Sequence, residues 1–445
     1  MSDELCIQVS DFESLQLNLL PGAEERCAVL YASTSRRSDG QIRFLVREVD
    51  YPTEAEYSKQ GEQEVELTPG LVARVSKRAK NAGLSLIFVH THPGQESPVF
   101  SAVDDRGEHA LGEFLEKRLG PGRHASLVMS AGGVRARVLG IQDELRVTVL
   151  GRKRSVVFEP ELDRPEVSDM FDRQVRAFGA LGQQRLGDTR IAIVGLGGTG
   201  SIAAQQLVHL GVRKFILVDP DTIEVTNLNR VVGATMQDVG ASKVSVAARY
   251  IRSFNSETEV LELQGDVVRD VVARAVIDAE LIFLCTDSHG SRSVVQQIAY
   301  QHLIGCIDMG STITQSEGQV TGIFGRVQLL APGLPCLWCS SLLDAEQVRR
   351  DMMNETERRL DPYIPGSREP APSVVSLNGT VVSLAVSMLL GVVAGAPFEA
   401  THLIYNGCAS TLRSVRGEAQ KNCFICSRGG ALAWGSNRQL LTRRD

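Results

Sequence analysis

The amino-acid sequence predicts an α/β protein in two parts, a small α/β domain followed by a doubly wound domain around a parallel sheet. The second part is indicated by a strand-like run, "IAIV", that leads into a glycine turn, "GLGGTGS", at residues 195–201. Two Cys-x-x-Cys pairs follow, at 336–339 and 423–426. A histidine-rich string, "HTHPGQESPVFSAVDD" (90–105), marks the first part. The chain therefore carries two separate sets of residues that are typical of enzymes.

Composition limits the class of protein. The chain has 445 residues, enough for two or three domains, and its 43% hydrophobic and 22% charged residues are ordinary for a globular protein. A formal net charge of −6 argues against a nucleic-acid binder, which usually carries a basic surface. The N-terminal "MSDELCIQVSDFE" lacks the basic start and apolar run of a signal peptide. We therefore expect a cytoplasmic protein whose paired cysteines bind metal.

Short apolar runs divide the chain into domains. We predict a first domain over residues 1–157 and, over the acidic, proline-containing stretch 158–169, a linker with almost nothing to bury. In residues 170–445, the runs "RIAIVG", "KFILVD", "LIFLCTD" and "GCIDMG" are mostly separated by helical lengths, which favours a parallel sheet. The strand-like runs of the first domain are Cys27–Tyr31, Ile42–Val46, Leu84–Val89, Ser126–Met129 and Arg135–Val138, and its helical segment is Asp104–Arg118.

One apolar stretch is long enough to suggest a membrane span. Residues 374–397 carry no charge for more than 18 positions, which is the usual length signal. Asn378 and several Ser, Thr and Gly residues lie inside the stretch, and basic flanks are missing. We therefore predict a buried helix, behind a sheet or at a dimer interface.

Two histidines mark a candidate metal site at the end of an apolar run. His90 and His92 follow "LSLIFV", and in a strand a spacing of two residues places both imidazoles on one face. Asp104 comes at the apparent start of a helix. Two histidines and one carboxylate make three protein ligands, which would leave a zinc ion one open position for water. Taken alone, these three residues fit a structural His-x-His at a strand end equally well.

The whole string resembles the JAMM (JAB/MPN) metalloprotease motif, in which His-x-His-Pro is followed by Ser-x-x-Asp and preceded by a glutamate on an earlier strand. The matching residues are His90, His92, Pro93, Ser101 and Asp104. Over roughly residues 1–155, the resemblance implies a JAB/MPN α/β fold with a catalytic zinc on the two histidines and Asp104. Glu25, in "EERCAVLYA", would be the general base, with Glu24 as the competing candidate. Ser101 would stabilise the oxyanion.

A second candidate site lies at the glycine turn. Gly195, Gly197 and Gly200 follow a strand and precede the helical run "SIAAQQLVHL", which is the context of a nucleotide site. Glycines let the backbone approach a phosphate, and the N-terminus of a helix attracts its charge. Asp219 ends the next strand, where it can bind a ribose hydroxyl. Up to this point an NAD-dependent dehydrogenase fits equally well.

The residues beyond the turn discriminate between these classes. They are Asp219, Asp221, Asn227 and Arg230 in "DPDTIEVTNLNR", Lys243 in "QDVGASKV" and Asp287 in "LCTDS". Over about residues 168–430 this order resembles the ubiquitin-activating superfamily, which includes the ThiF and MoeB adenylating enzymes. The resemblance implies a Rossmann-like, doubly wound ThiF-type fold that uses ATP and Mg²⁺ to adenylate a peptide C-terminal carboxylate.

The same resemblance implies roles for single residues. Asp219 would hold the ribose, Arg230 and Lys243 the phosphates, and Asp287 the Mg²⁺. Arg173, in "FDRQVRAFGALGQQRL", matches an arginine that the family supplies across a dimer, so a homodimer is expected. The implied nucleotide-binding set is Gly195, Gly197, Gly200, Asp219, Asp221, Thr226, Asn227, Leu228, Asn229, Arg230, Lys243, Asp287 and Ser288.

The cysteines provide one positive and one negative observation. A closed tetrathiolate set, the structural kind of zinc site with spacing like the superfamily's, is formed by Cys336, Cys339, Cys423 and Cys426. Ubiquitin-type activating enzymes carry a thioester cysteine after the first pair, whereas this chain has no cysteine from Ser340 to Gly407. It therefore resembles MoeB more closely, and we expect it to pass an acyl-adenylate to a partner's sulfur.

Together these patterns predict a bifunctional enzyme of a bacterial-style ubiquitin-like pathway. A zinc peptidase would trim a ubiquitin-like protein to its terminal glycine or cleave its conjugates, and the adenylating domain would activate the same carboxylate. Expected partners are a ubiquitin-like or sulfur-carrier substrate, a conjugating enzyme or sulfurtransferase, and a second copy of the chain, with neither nucleic acid nor membrane. Two alternatives stay open: a sulfur-carrier adenylyltransferase of cofactor or cysteine metabolism, and an inactive binding scaffold.

Overall fold

The structure, a computed structural model, describes residues 3–120, 122–160, 166–354, 357 and 371–443. The chain divides into two compact units. The first comprises Met1–Asp163, Gln301–Leu303 and Ala431–Gln439, and the second comprises Arg164–Tyr300, Ile304–Gly430 and Leu440–Asp445. Part of the predicted linker, residues 161–165, lies outside the described residues. The predicted domain boundaries stay predictions.

The first unit is built around a sheet that closes on itself. Its strands are β1 (Glu4–Gln8), β2 (Cys27–Arg36), β3 (Ile42–Asp50), β6 (Ser85–Thr91), β7 (Ala125–Ser130), β8 (Gly133–Val138), β9 (Glu144–Leu150) and β10 (Arg154–Phe158), in the order β1-β3-β2-β6-β7-β8-β9-β10. β1 also pairs in parallel with β9, which makes the sheet barrel-like. A hairpin of β4 (Tyr57–Gln60) and β5 (Val65–Leu67) and helices α1 (Val9–Leu19), α2 (Pro69–Ala82) and α3 (Ala102–Leu119) complete the unit.

Both faces of this sheet pack against apolar cores, as the residues of β2 show. Ala28 and Leu30 face one apolar core, to which α1 contributes Leu15 and Leu19, whereas Val29 and Tyr31 face a second core. Helices α2 and α3 cover that second core. A strand buried on both sides reads as a continuous apolar run, as this one does. The strands and the helix predicted here are confirmed, but local sequence patterns did not predict that the sheet closes.

The second unit contains the predicted doubly wound sheet. Its strands are β11 (Arg190–Val194), β12 (Lys214–Asp219), β13 (Glu259–Gln264), β14 (Leu281–Leu284), β15 (Gly305–Ser316), β16 (Gln319–Leu330), β17 (His402–Asn406) and β18 (Thr411–Ser414). Its helices are α4 (Asp172–Asp188), α5 (Gly198–His209), α6 (Lys243–Phe254), α7 (Asp270–Val276), α8 (His289–Gln301), α9 (Ala345–Met352) and α10 (Val375–Leu389). The strand order is β13-β12-β11-β14-β15-β16-β17-β18.

Only part of this sheet is parallel. The pairs from β13 to β15 are parallel, which confirms the prediction for the four runs named above, but β16, β17 and β18 add an antiparallel extension. The reversal occurs at Glu317 and Gly318, with φ of 52° and 79°. Two residues with positive φ make the type of turn that joins antiparallel neighbours.

The apolar stretch after residue 374 is a core helix. α10 packs against α5, β15 and β16, and its Val381, Val382 and Ala385 are buried in the largest apolar core of the unit. Among the described residues, the helical segment Val375–Ala394 is long and apolar enough to cross a membrane, but 67% of an 18-residue apolar stretch within it is buried inside the protein. The prediction of a buried helix is confirmed.

A buried ion cluster ties α8 to the sheet of the second unit. The side chain of Asp308, on β15, has no exposed surface, and its carboxylate oxygens lie 3.3 Å from Arg292 Nε and 2.5 Å from Arg326 Nη1. Arg292, on α8, also donates a hydrogen bond to the carbonyl of Met309. Two largely buried guanidinium groups thus share one carboxylate, and removing it would leave their charge uncompensated.

We expect Asp308→Ala to lower the free energy of unfolding by about 3–5 kcal/mol, the usual cost of removing one partner of a buried ion pair. Glu346→Ala is the matched control, because Glu346 also pairs with two arginines, Arg349 and Arg350, but at the surface of α9. Its effect should be much smaller, since exposed pairs contribute little. Urea denaturation followed by circular dichroism measures both variants, and equal losses would contradict the role given to Asp308.

Candidate functional site

The candidate metal site of the first unit begins at the end of β6. This strand lies between β2 and β7, where His90 pairs with Cys27 on one side and Val128 on the other. The Nε2 atoms of His90 and His92 are 3.2 Å apart, so the two imidazoles share one face as their spacing predicts. The hydroxyl of Thr91, between them, accepts a hydrogen bond from the backbone amide of Arg26.

The first turn of α3 brings the carboxylate to these histidines. The hydroxyl of Ser101 accepts a hydrogen bond from the Asp104 amide at 3.2 Å, and the Ser101 amide donates to Asp104 Oδ2 at 2.6 Å. This reciprocal capping explains the Ser-x-x-Asp motif as a local fold. It places Asp104 Oδ1 3.3 Å from His90 Nε2, and Oδ2 3.6 Å from His92 Nε2. Because capping already engages Ser101, its action on an oxyanion stays a prediction.

The predicted general base lies beside the same group. Glu25 is buried, with Oε1 3.9 Å from His92 Nε2, whereas its neighbour Glu24 is exposed. The β4–β5 hairpin holds its backbone, because the Glu25 amide donates to the carbonyl of Gly61 and its carbonyl accepts from Gln60 Nε2. Burial raises the pKa of Glu25 above its ordinary value. The structure thus brings Glu25, and not Glu24, to the histidine pair.

The donor atoms at this site fit a zinc ion. Those of His90, His92 and Asp104 lie within 4.8 Å of one another. Tetrahedral zinc places nitrogen and oxygen ligands about 3.4 Å apart, close to the separations of 3.2, 3.3 and 3.6 Å seen here. Burial lowers the pKa of His92. Burial alone would raise the pKa of Asp104, but hydrogen bonds from His90 and Ser101 outweigh it and lower that pKa. Neutral His92 and ionised Asp104 are the forms that bind metal.

In the second unit, the glycine turn after β11 allows two close approaches. Gly195 has φ of 91°, and a Cβ there would lie 2.9 Å from the backbone of Cys285 and Thr286 at the end of β14. A Cβ on Gly200 would lie 1.8 Å from the carbonyl oxygen of Gly195. Gly197, at the N-terminus of α5, has open space around it. The turn therefore leaves the start of the helix accessible, as a phosphate site requires.

Asp219 connects this turn to the next loop. Its side chain is buried at the end of β12, where Oδ2 accepts a hydrogen bond from the Leu196 amide at 2.6 Å and Oδ1 accepts one from the Asp221 amide at 2.9 Å. Lys243, the first residue of α6, lies with Nζ 2.7 Å from Asp221 Oδ2 and 3.9 Å from Asp219 Oδ1. Burial raises the pKa of Asp219. Three predicted residues are thus brought together at the carboxyl edge of the sheet.

The turn at residues 225–230 has a mainly structural interior. Asn227 is buried, and its Oδ1 accepts from the Glu224 amide, while Leu228 packs beside the small core of Ile223, Val231 and Val246. Thr226 and Asn229 are exposed. The guanidinium of Arg230 donates to the Thr226 carbonyl at 2.6 Å and to Asn229 Oδ1 at 3.2 Å. Contact of these five residues with a nucleotide stays a prediction.

The remaining predicted residues lie on separate elements. Asp287 is exposed just after β14. The hydroxyl of Ser288 donates to Asp351 Oδ2 at 2.9 Å, and the same oxygen accepts from the Gly290 amide. Arg173 is exposed in the first turn of α4. Its role across a dimer stays a prediction.

Sequence reasoning missed one polar residue at the glycine turn. Asn378 is buried on α10, and its Nδ2 would lie 2.2 Å from a Cβ on Gly198. Its Oδ1 accepts a hydrogen bond from the Ser311 hydroxyl at 2.9 Å, and its Nδ2 donates to the hydroxyl of Ser373. A single amide inside an apolar helical run was the available signal, because a buried amide requires partners.

The four predicted cysteines form one cluster. The Sγ atoms of Cys336 and Cys339 are 3.7 Å apart, and each is 3.6 Å from one cysteine of the second pair, Cys423 or Cys426. Tetrahedral zinc with bonds of about 2.3 Å to sulfur separates its ligands by about 3.8 Å. The hydrogen bond between the Cys336 and Cys426 thiols lowers the pKa of Cys426 to about 5 and raises the pKa of Cys336, so one thiolate of this pair is favoured before a metal binds. The cluster fits a closed structural zinc site.

The glycine turn, Asp219 and Lys243 lie together at the carboxyl edge of a doubly wound α/β domain, where such domains usually bind nucleotides. The ThiF family profile matches residues 171–425, more than half of the chain. The chain therefore belongs to the ThiF family. Its second part is a ThiF-type adenylyltransferase domain, for which ATP is the expected nucleotide. The match begins at residue 171, so it does not extend to the predicted JAMM domain.

Individual proteins with known names are also similar to this chain. The sulfur carrier protein ThiS adenylyltransferase of Escherichia coli is 27% identical over 262 residues, covering 57% of this chain and 90% of that protein. The molybdopterin-synthase adenylyltransferase of Salmonella typhimurium is 31% identical over 189 residues, covering 41% and 73%. The SAMP-activating enzyme E1 of Haloferax volcanii is 26% identical, covering 57% and 85%. A crystal structure of E. coli MccB with MccA-N7isoASN aligns with a TM-score of 0.47 at 19% identity, covering 59% and 76%.

We expect Cys336→Ser to release about one zinc ion per chain and to lower the unfolding temperature, because a closed tetrathiolate site contributes directly to folding. Cys408→Ser is the control, since Cys408 is exposed and stands outside the cluster. Zinc content by plasma mass spectrometry and thermal unfolding measure both effects. Full zinc content in the Cys336 variant would show that the cluster does not hold the metal.

Proposed function

We propose that the ThiF-type domain adenylates the C-terminal carboxylate of a ubiquitin-like or sulfur-carrier protein. One observation carries the proposal: the accessible start of α5, buried Asp219 and cationic Lys243 meet at one edge of the sheet. An anion site, a ribose acceptor and a phosphate partner are the groups that ATP requires. The named relatives support the choice of substrate, because the E. coli protein is the adenylyltransferase of the sulfur carrier ThiS.

In this reaction a carboxylate oxygen of the substrate attacks the α-phosphorus of ATP. A bond forms between that oxygen and phosphorus, the bond to the β-phosphate oxygen breaks, and pyrophosphate leaves. Lys243 exchanges its contact with Asp221 for a phosphate oxygen, and Arg230 adds a second positive charge, so negative charge is offset as it develops. Asp219 accepts from the ribose. Asp287 would supply a carboxylate ligand to Mg²⁺, which neutralises phosphate charge when bound.

We propose that this domain works as a homodimer, with Arg173 reaching the nucleotide of the second copy. Arg173 is exposed in the first turn of α4, and the family match begins just before it, at residue 171. An arginine supplied from outside the site adds positive charge to the phosphates without needing a place in the same fold. A monomer by analytical ultracentrifugation at assay concentration, with full activity, would contradict this proposal.

We also propose a second activity, a zinc-dependent JAMM-type peptidase in the first unit. A specific observation favours it: His90, His92 and Asp104 form a zinc-compatible group, with buried Glu25 beside it. Three protein ligands and a nearby carboxylate are the arrangement of a hydrolytic zinc site rather than of a structural one. The string that supplies them matches the JAMM motif in order and type.

The residues around this group divide the work of hydrolysis. Zinc, when bound, lowers the pKa of a coordinated water towards neutrality. Glu25 accepts a proton from the attacking water and delivers it to the leaving amine. Burial raises the pKa of Glu25, which favours the protonated form that acts as the acid. The capped turn at Ser101 holds Asp104 rigidly towards His90.

The two activities suit one substrate. Hydrolysis after a terminal glycine yields a carboxylate, which is the group that the adenylating domain consumes. We propose that this substrate is a ubiquitin-like protein, whose acyl-adenylate passes to a conjugating enzyme. A sulfur carrier handed to a sulfurtransferase is the second candidate, and the named relatives that act on ThiS favour it for the second unit alone.

Single substitutions should separate the two activities. We expect His92→Ala to abolish cleavage of a ubiquitin-like precursor while leaving ATP–pyrophosphate exchange unchanged, since it removes a metal ligand of the first unit only. Lys243→Ala should lower exchange by about 10²–10³-fold, the usual loss for a group that stabilises developing charge, and leave cleavage intact. Both assays use the full-length protein and the same substrate. A loss of both activities in either variant would contradict two independent sites.

Cysteine chemistry gives a further test. Burial raises the pKa of Cys285 to about 12 and raises the pKa of Cys306 as well, so neither is a ready thiolate nucleophile. Four other cysteines of the second unit form the metal cluster. With substrate and ATP we therefore expect an acyl-adenylate and no thioester on this chain. Intact mass spectrometry with and without a thiol decides the point, and an adduct on exposed Cys408 would overturn the expectation.

A further inference from the structure

A buried arginine lies behind the candidate metal site of the first unit. Arg137, on β8, has a side chain only 7% exposed, and β8 contributes no metal ligand. A buried guanidinium is costly unless charged or polar groups surround it. Its partners therefore show what it does in the fold.

All partners of Arg137 named here belong to α3 or to the residue just before its cap. Its Nε donates to Glu108 Oε2 at 2.9 Å, and its Nη2 lies 2.8 Å from Asp105 Oδ1, an ion pair rather than an aligned hydrogen bond. Its guanidinium carbon lies 3.8 Å from the ring centroid of Phe100. One side chain thus contacts the residue before the helix cap and two positions in the first two turns of the helix.

These positions bracket the ligand. Phe100 directly precedes the cap residue Ser101, Asp105 directly follows Asp104, and Glu108 lies one turn further along α3. The ring of Phe100 also lies 6.2 Å from the ring of His90. Arg137 therefore contacts residues on both sides of Asp104 in the sequence, while the carboxylate of Asp104 faces the two histidines.

We propose that Arg137 is a positioning residue for the metal site, which fixes the first turn of α3 so that Asp104 and Ser101 keep their places opposite His90 and His92. This inference rests on the proposed peptidase activity and names a residue outside the JAMM string. Outer partners of metal ligands change metal affinity by about 10–100-fold when they are removed. Arg137 acts through two neighbours of the ligand, so its loss should weaken zinc binding by this amount.

Geometry explains why lysine cannot replace this arginine. The planar guanidinium reaches two carboxylates from different nitrogens while its face lies over Phe100. A lysine ammonium is a point charge that keeps one ion pair but cannot stack in the same way. We therefore expect Arg137→Lys to fall between the wild type and Arg137→Gln in zinc affinity.

Arg135 provides a matched control on the same strand. It lies two residues away on β8, donates to Glu144 at 3.0 Å and has its guanidinium carbon 5.5 Å from the ring of Phe158. Changing it to glutamine removes contacts of the same kind, with one carboxylate and one ring, from a more exposed side chain, and none of these contacts reaches α3. A general weakening of β8 would affect Arg135→Gln and Arg137→Gln alike.

The experiment measures zinc binding to the full-length, metal-stripped protein in competition with a coloured chelator. The wild type should bind two zinc ions, one at the tetrathiolate cluster and one at the His–Asp group, and His92→Ala identifies the second. Arg137→Gln should raise the dissociation constant of the second ion by about 10–100-fold and leave the dissociation constant of the first ion unchanged. It should also lower the peptidase kcat while changing KM much less. Arg135→Gln should bind both ions as the wild type does.

Different results would contradict the positioning role of Arg137 and the peptidase proposal. Two zinc ions bound with wild-type affinity by Arg137→Gln would overturn the positioning role and leave the peptidase proposal standing. A wild type that binds only the tetrathiolate ion would overturn the peptidase proposal, and this inference with it. If Arg137→Gln does not fold, Arg137→Lys gives the answer, and unchanged zinc affinity in that variant would also overturn the role.

Discussion

The hydrogen bond from the Leu196 amide to the buried carboxylate of Asp219 holds together the carboxyl edge of the sheet in the second unit, where the candidate nucleotide site lies. It forms because the chain bends sharply at the glycine turn after β11. Gly195 has a positive φ, and Gly200 lies too close to the carbonyl oxygen of Gly195 to carry a side chain. The same carboxylate accepts from the next loop, which in turn positions Lys243. Three elements therefore depend on one carboxylate, and its burial is tolerated because backbone amides surround it.

In the first unit, the candidate metal site also depends on contacts that hold separate elements together. Its central strands leave two histidines at one end of β6, and a capped helix turn brings a carboxylate opposite them. A short capping box is a local interaction and could form in many orientations. Here the pairing of β6 with both neighbours and the buried contacts of α3 restrict it to the orientation in which Asp104 meets His90. A ligand group assembled from two elements needs such fixed supports.

All three candidate sites contain groups that would be unfavourable alone. Buried Glu25, Asp219 and the tetrathiolate cluster would each cost stability without partners, and each is held by backbone amides, cations or metal-compatible neighbours. Buried ionisable groups that face a common cleft, such as Glu25 and Asp219, are candidates for functional sites. This physical reason, together with membership of the ThiF family, supports reading the second unit as an adenylating domain.

The sequence by itself determined the local features: the β–turn–helix at Gly195, the start of a helix near Asp104, the shared face of His90 and His92, and the apolar runs of the strands. These depend on neighbours within a few residues, so spacing and residue type are sufficient. Only the tertiary structure decided that Glu25 rather than Glu24 faces the histidines, that Asn378 reaches Gly198, and that Arg137 lies behind Asp104. The tertiary structure also decided the closure of the first sheet and the antiparallel extension of the second. They result from contacts between residues far apart in the chain, whose partners no local pattern specifies.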